Sequence, residues 1–172
     1  MGTENAFASE IEVSLRVNGE PVRKRVGANR HLIDFLRLDL ELTGSHVGCE
    51  QGVCGACTVR VNGQIMRGCL LLAAQLQDAD VWTIEGLTES GEIKDLQQDF
   101  IERNALQCGF CTPAMLITAA ELLSRETIPS REDIREHISG NYCRCTGYEA
   151  IVDAIGTTAQ RRAASAQKGA AE

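Results

Sequence analysis

The sequence predicts an α+β protein, with a strand-rich N-terminal half and a helical C-terminal half. Three observations point there. Near the start of the chain apolar residues alternate with polar ones, the period of a half-buried strand. After about residue 92 they recur at three- and four-residue intervals, the period of amphipathic helices. The eight cysteines divide into two sets of four, separated by the stretch 70–107.

Ile11, Val13, Leu15 and Val17 mark the first strand. Asn18-Gly19 follows, a hairpin signal because both residues tolerate positive φ. A partner strand is expected at 21–26. In HLIDFLRLDL (31–40), Leu32, Ile33, Phe35, Leu36 and Leu40 fall at helical spacing. Residues 43–55 form a glycine-bearing loop. A short strand at 57–61 ends at a second turn signal, Asn62-Gly63, and a last strand is expected at 81–84. Glu85-Gly86 through Ser90-Gly91-Glu92 reads as turn-rich, which places a domain boundary near residue 88. The expected domains are 9–87 and 88–164, with a frayed tail at 165–172.

In the second half, 92–103 reads as a helix with Ile93, Leu96, Phe100 and Ile101 on one face. Thr112-Pro113 combines an N-cap residue with Pro at the first helical position, opening a helix to 125. Ser130 with Asp133 three residues on is a capping-box variant, ahead of the stripe Ile134 and Ile138. A last helix is expected at 148–162. Several strands wrapped on one helix, followed by helices alone, define the α+β class.

Composition narrows the function classes. The chain has 172 residues, 44% hydrophobic and 24% charged, an ordinary globular balance. Its net charge of −7 argues against nucleic acid or an anionic membrane as a partner held by bulk charge. No apolar run reaches the ~18 residues of a membrane span. Residues 1–10 carry neither a basic nor an apolar signal region, so the cytoplasm is the expected compartment. There, thiols stay reduced and serve metals or catalysis.

The first set reads Cys49-x4-Cys54-x2-Cys57, with Cys69 as its fourth member. This is the plant-type [2Fe–2S] spacing. Gly48, Gly52 and Gly55 let the loop turn sharply and bring backbone N–H groups toward sulfur. Zinc is the weaker reading, since only Cys54 and Cys57 form a knuckle pair; the [4Fe–4S] run is absent, and disulfides need an oxidising compartment. The second set is Cys108-Gly-Phe-Cys111 with Cys143-Arg-Cys145. The tight C-x-C pair favours a binuclear iron cluster, with zinc left open by spacing alone. Cys111 precedes a helix N-terminus, where dipole and free N–H groups favour a thiolate. His31 is expected to open a helix, His46 to lie in the first cysteine loop and His137 on a surface helix, none of them as ligands. Gln107 by itself reads as a buried amide. Arg144 reads equally as solvated or as offsetting negative charge. Trp82 is expected in the core, Phe110 beside the second set, and Leu70 to Leu72 beneath the first loop. No nucleophile–base pair is apparent.

Three motifs in this order, CEQGVCGAC with Cys69 beyond it, QCGFCTP (107–113) and NYCRCTGY (141–148), resemble the small iron–sulfur subunit of the xanthine oxidase family of molybdenum hydroxylases. The likeness spans residues 10–162. It implies a plant-ferredoxin-like β-grasp domain holding one [2Fe–2S] cluster through Cys49, Cys54, Cys57 and Cys69. It implies a four-helix bundle holding a second through Cys108, Cys111, Cys143 and Cys145. Gln107 and Cys145 would contact a molybdopterin, taken as the cytosine dinucleotide, on a large partner subunit. Electrons would pass from there through both clusters to FAD on a medium subunit or to another acceptor. The assembly would be a heterotrimer or a dimer of heterotrimers, with the substrate chemistry on the partner.

Overall fold

A computed structural model describes residues 10–124 and 128–169. Strand β1 (Glu10–Val17) pairs antiparallel with β2 (Glu20–Gly27). Asn18 and Gly19 both sit at positive φ, 53° and 87°, as a two-residue hairpin turn requires. Val13, Leu15 and Val17 are buried and the intervening residues are not, so the alternation does face a core. Helix α1 (Leu32–Asp34) continues as a π-helical turn (Phe35–Asp39), in which the Leu40 N–H reaches back to the Phe35 carbonyl. This widened turn departs from the regular helix expected over 31–40, yet Leu32, Ile33, Phe35 and Leu36 are all buried. Strand β3 (Thr58–Val61) turns at Asn62-Gly63 into β4 (Gln64–Arg67). That fourth strand is too short and polar at its ends to announce itself in the sequence.

Strand β5 (Asp80–Trp82) completes a five-stranded sheet of order β2-β1-β5-β3-β4. Among the described strands only β1 and β5 pair in parallel, at the sheet centre. With α1 laid across one face, this is a β-grasp unit. Its core gathers Val13, Leu15, Leu32, Phe35, Leu36, Val59 and Val81. Trp82 is half-buried; its indole N–H donates to Asp80 Oδ2 at 2.8 Å and Arg60 lies over its ring.

The strand expected over 81–84 stops at Trp82, and Ile84 opens a helix instead, α2 (Ile84–Glu89). Thr83 ends the strand by pairing with Asn18: its N–H donates to Asn18 Oδ1 at 2.9 Å, and Asn18 Nδ2 donates to its Oγ1 at 3.0 Å. Glu85-Gly86 is therefore helical, not a turn. Gly86 is needed for contact, because a Cβ there would collide with the Asn18 side chain. The chain turns later, at Gly91 (φ 78°).

Helices α3 (Lys94–Glu102), α4 (Thr112–Leu123), α5 (Arg131–Ile138) and α6 (Glu149–Gly169) form a four-helix bundle. Its core gathers Leu87, Leu96, Phe100, Met115, Ile117, Ile134, Ile138, Val152 and Ile155. Ile101, expected on the inner face, is 63% exposed. Asp99 takes an inner position instead, accepting from Thr158 Oγ1 and Arg161 at 2.6 Å each, which is how a buried carboxylate is tolerated. Thr112 does not cap α4. Cys111 is already helical (φ −85°, ψ −14°), so it takes the cap position and Thr112 becomes the first helical residue. The capping box at Ser130 and Asp133 forms as expected, with reciprocal bonds of 3.2 and 2.8 Å. The last helix runs past 162 to Gly169, so residues 165–169 continue it; 170–172 of the expected tail lie outside the described residues.

Candidate metal centres

The loop between α1 and β3 carries three thiols, and the turn Gly68–Leu70 after β4 brings Cys69 to them. Cys57 and Cys69 are 2% exposed, while Cys49 and Cys54 are half-buried. The four come as two pairs: Cys49 with Cys54, and Cys57 with Cys69. Two backbone N–H groups, from Gln51 and Cys54, donate to Cys49 Sγ at 3.4 and 3.3 Å. These donors draw the Cys49 pKa down to about 7. Burial pushes the Cys57 thiol up to about 11. Gly48 belongs to the same packing, since a Cβ there would lie 2.9 Å from Cys54 Sγ. Leu70 covers the loop at Gly52. His31 has no side-chain capping bond; its Nδ1 contacts the Cys69 carbonyl at 2.6 Å.

The second set lies where the loop before α4 meets the loop between α5 and α6. Cys108 and Cys145 are exposed, with their sulfurs 3.5 Å apart. Cys111 and Cys143 form the other pair and are half-buried. Cys143 is held from two sides. Its N–H donates to the Tyr148 hydroxyl at 2.9 Å, and its Sγ meets Thr146 Oγ1 at 3.1 Å. Burial opposes ionisation of Cys143, but bonds from Thr146 and from backbone N–H groups overcome it and lower its pKa. The Phe110 N–H and the Cys145 thiol lower Cys108, while Cys145 is raised by the same thiol contact. Burial pushes Cys111 up to about 12. In the metal-free thiol, burial works against the lowering that the helix terminus favours.

A pattern emerges in the second set. In each pair one thiol pKa is lowered and the other raised: Cys108 below Cys145, and Cys143 below Cys111. Among the described residues no three His, Cys, Asp or Glu side chains close on one point suited to a single ion. Four sulfurs arranged as two pairs, with N–H donors aimed at sulfur, fit a two-iron cluster better than one tetrahedral zinc.

Gln107 and Arg144 are exposed beside Cys108 and Cys145. The reading of Gln107 as a buried amide does not hold. His46 lies in the first loop as expected, and bonds through Nδ1 to the Phe110 carbonyl at 2.7 Å; the two rings stack at 4.6 Å. His137 is partly buried against Glu121, at 2.7 Å, and not on open surface. Asn141, buried and not singled out by the sequence reading, ties the two cysteine regions together. The visible clue was Thr118, its partner, a hydroxyl inside the apolar run of α4.

Comparisons with known proteins show the family. Residues 40–103 match a family described as a 2Fe-2S iron-sulfur cluster binding domain, and residues 83–156 match a [2Fe-2S] binding domain. The chain is 49% identical to caffeine dehydrogenase subunit gamma of Pseudomonas sp. (strain CBB1), over 83% of this chain and 87% of that one. It is 45% identical to the nicotine 6-hydroxylase small subunit of Paenarthrobacter nicotinovorans, over 86% and 89%. Among solved structures, a chain of quinoline 2-oxidoreductase from Pseudomonas putida 86 superimposes with a TM-score of 0.82 at 46% identity, over 88% of this chain and 97% of that one. No described helix is long and apolar enough to cross a membrane. The chain belongs to the small iron–sulfur, electron-transfer subunits of the xanthine oxidase family of molybdenum hydroxylases.

Proposed function

We propose that the chain relays electrons, one at a time, from a molybdopterin on a large partner subunit, through the cluster at Cys108 and then the cluster at Cys49, to FAD on a medium subunit or to another acceptor. In this reading Cys49, Cys54, Cys57 and Cys69 hold one [2Fe–2S] cluster, and Cys108, Cys111, Cys143 and Cys145 hold the other. The clusters supply one-electron redox chemistry when bound; the residues of this chain set their surroundings. The observation that carries the direction is the difference in exposure. Cys57 and Cys69 are sealed within the β-grasp half, while Cys108 and Cys145 lie open beside Gln107, Phe110 and Tyr142. An open ligand pair rimmed by aromatic residues suits a docking face, and Gln107 and Cys145 are the residues assigned to the pterin. The subunit itself is non-catalytic, with substrate oxidation on the partner. The domain division at about residue 88 and a cytoplasmic, heterotrimeric assembly complete the proposal.

The test is purification of the native complex followed by metal and flavin analysis. The expected result is a large molybdenum subunit and a flavin subunit copurifying with this chain, which carries about four irons and four acid-labile sulfides. A chain that always runs alone, with both clusters present, contradicts the relay role.

A further inference from the structure

The two cysteine regions are bound to each other through a buried polar seam. Asn141 lies at its centre, 1% exposed, two residues before Cys143. Its Nδ2 donates to the Gly55 carbonyl at 3.1 Å and to Thr58 Oγ1 at 3.2 Å. Its Oδ1 accepts from Thr118 Oγ1 at 3.1 Å. Thr58 also donates to the Gly55 carbonyl at 2.6 Å and accepts from Arg67, whose other nitrogen donates to the Gly140 carbonyl at 2.7 Å. The side-chain amide thereby finds partners on both its nitrogen and its oxygen, in a site without water access.

The backbones touch at the same place. Gly55 has φ +74°, and a Cβ on it would collide with the Gly140 carbonyl and stand 3.0 Å from Asn141 Cα. Beside this contact the Tyr142 N–H donates to the Cys54 carbonyl at 2.8 Å. Cys54 belongs to the first quartet, and Tyr142 is bonded directly to Cys143 of the second. One hydrogen bond therefore links Cys54 to the residue that precedes Cys143. The His46–Phe110 contact is less direct, because His46 stands three residues from Cys49.

We propose that Asn141 is the positioning residue for electron transfer between the two quartets. It fastens Gly55 and Thr58 to Thr118 and so holds the Cys54 carbonyl on the Tyr142 N–H, the bonded bridge the electron crosses. In each crossing the donor cluster is oxidised by one electron and the acceptor cluster reduced by one, with no proton moved. This inference rests on the two-cluster reading above.

The experiment is EPR on the fully reduced native complex, comparing unmodified protein with Asn141→Ala, Thr118→Val and Thr118→Ser. In unmodified protein, two cluster signals with a mutual magnetic splitting at low temperature are expected. Absence of a second signal there overturns the two-cluster reading, and this inference with it. Asn141→Ala is expected to keep both signals and about four irons while the splitting narrows or is lost. Reoxidation of the second cluster's signal by an acceptor on the flavin side should then lag behind the first's. Thr118→Val is expected to shift both readouts the same way to a lesser degree, and Thr118→Ser, which keeps the hydroxyl, to restore them. If Asn141→Ala fails to keep its iron, Thr118→Val decides. Both signals retained with unchanged splitting and unchanged reoxidation order would overturn the positioning role.

Discussion

The two cysteine quartets place four thiols each in opposite settings. The first is built onto a sheet, with buried Cys57 just before β3, buried Cys69 just after β4, and Leu70 against the loop at Gly52. The second is built from two loops at one end of a helix bundle, with Cys108 and Cys145 facing outward. The contrast follows from what each framework supplies. A glycine-rich loop folds over its own thiols and brings N–H donors to sulfur, as Gln51 and Cys54 do for Cys49. Here the helix-connecting loops meet with two of their four thiols, Cys108 and Cys145, exposed. One framework suits a sealed relay station and the other a terminal.

Breaking either quartet separates them most sharply. Cys57→Ser and Cys108→Ser should each abolish one of two EPR signals and leave the other. Cys57→Ser should also cost more stability, by about 1–3 kcal/mol, because a serine hydroxyl would be left in a site that excludes water. Thermal unfolding of the two variants checks this; equal losses would contradict the difference in burial.

The seam between the quartets gives the next effect. Gly55→Ala forces a left-handed backbone on a side chain with no room, at a cost of about 1–3 kcal/mol from the backbone alone. Denaturant titration should show it, and a neutral result would mean the two loops do not touch as described.

A third test compares thiol chemistry inside the metal-free protein. A pKa near 7 leaves Cys49 substantially ionised at pH 8, whereas Cys57, near 11, and Cys111, near 12, remain protonated until strongly alkaline solution. Iodoacetamide at pH 8 should therefore modify Cys49 ahead of both, read by peptide mass spectrometry. Equal labelling would remove the electrostatic distinction. The smallest effect is structural and lies in α5, which precedes the second quartet's C-x-C pair. Ser130→Ala should cost about 1 kcal/mol with both EPR signals intact, and losing either signal would show that α5 is coupled to the quartet more tightly than its cap implies.

Much of this was legible in the residues, because the relevant signals are local. Asn18-Gly19 dictates a turn through backbone sterics, and C-x4-C-x2-C fixes three sulfurs on one short loop. What escaped depends on residues far apart. Asp99 is buried in place of Ile101 only because Arg161 and Thr158 of α6 come to meet it. Glu85-Gly86 looks like a turn until Asn18 is seen to fill the space that Gly86 leaves. Gln107 and Asn141 are both amides beside cysteines, yet one is open and the other is buried, and no pattern along the chain separates them. Cys111 shows the same limit in energetic form, since its helix-terminal position was visible and its desolvation was not.

Iron and acid-labile sulfide analysis of the anaerobically purified native complex, paired with EPR after full reduction, tests the central claim most directly. The account predicts about four irons and four sulfides on this chain and two distinguishable [2Fe–2S] signals. A chain carrying zinc in place of iron, or a single signal from a fully loaded preparation, would contradict it.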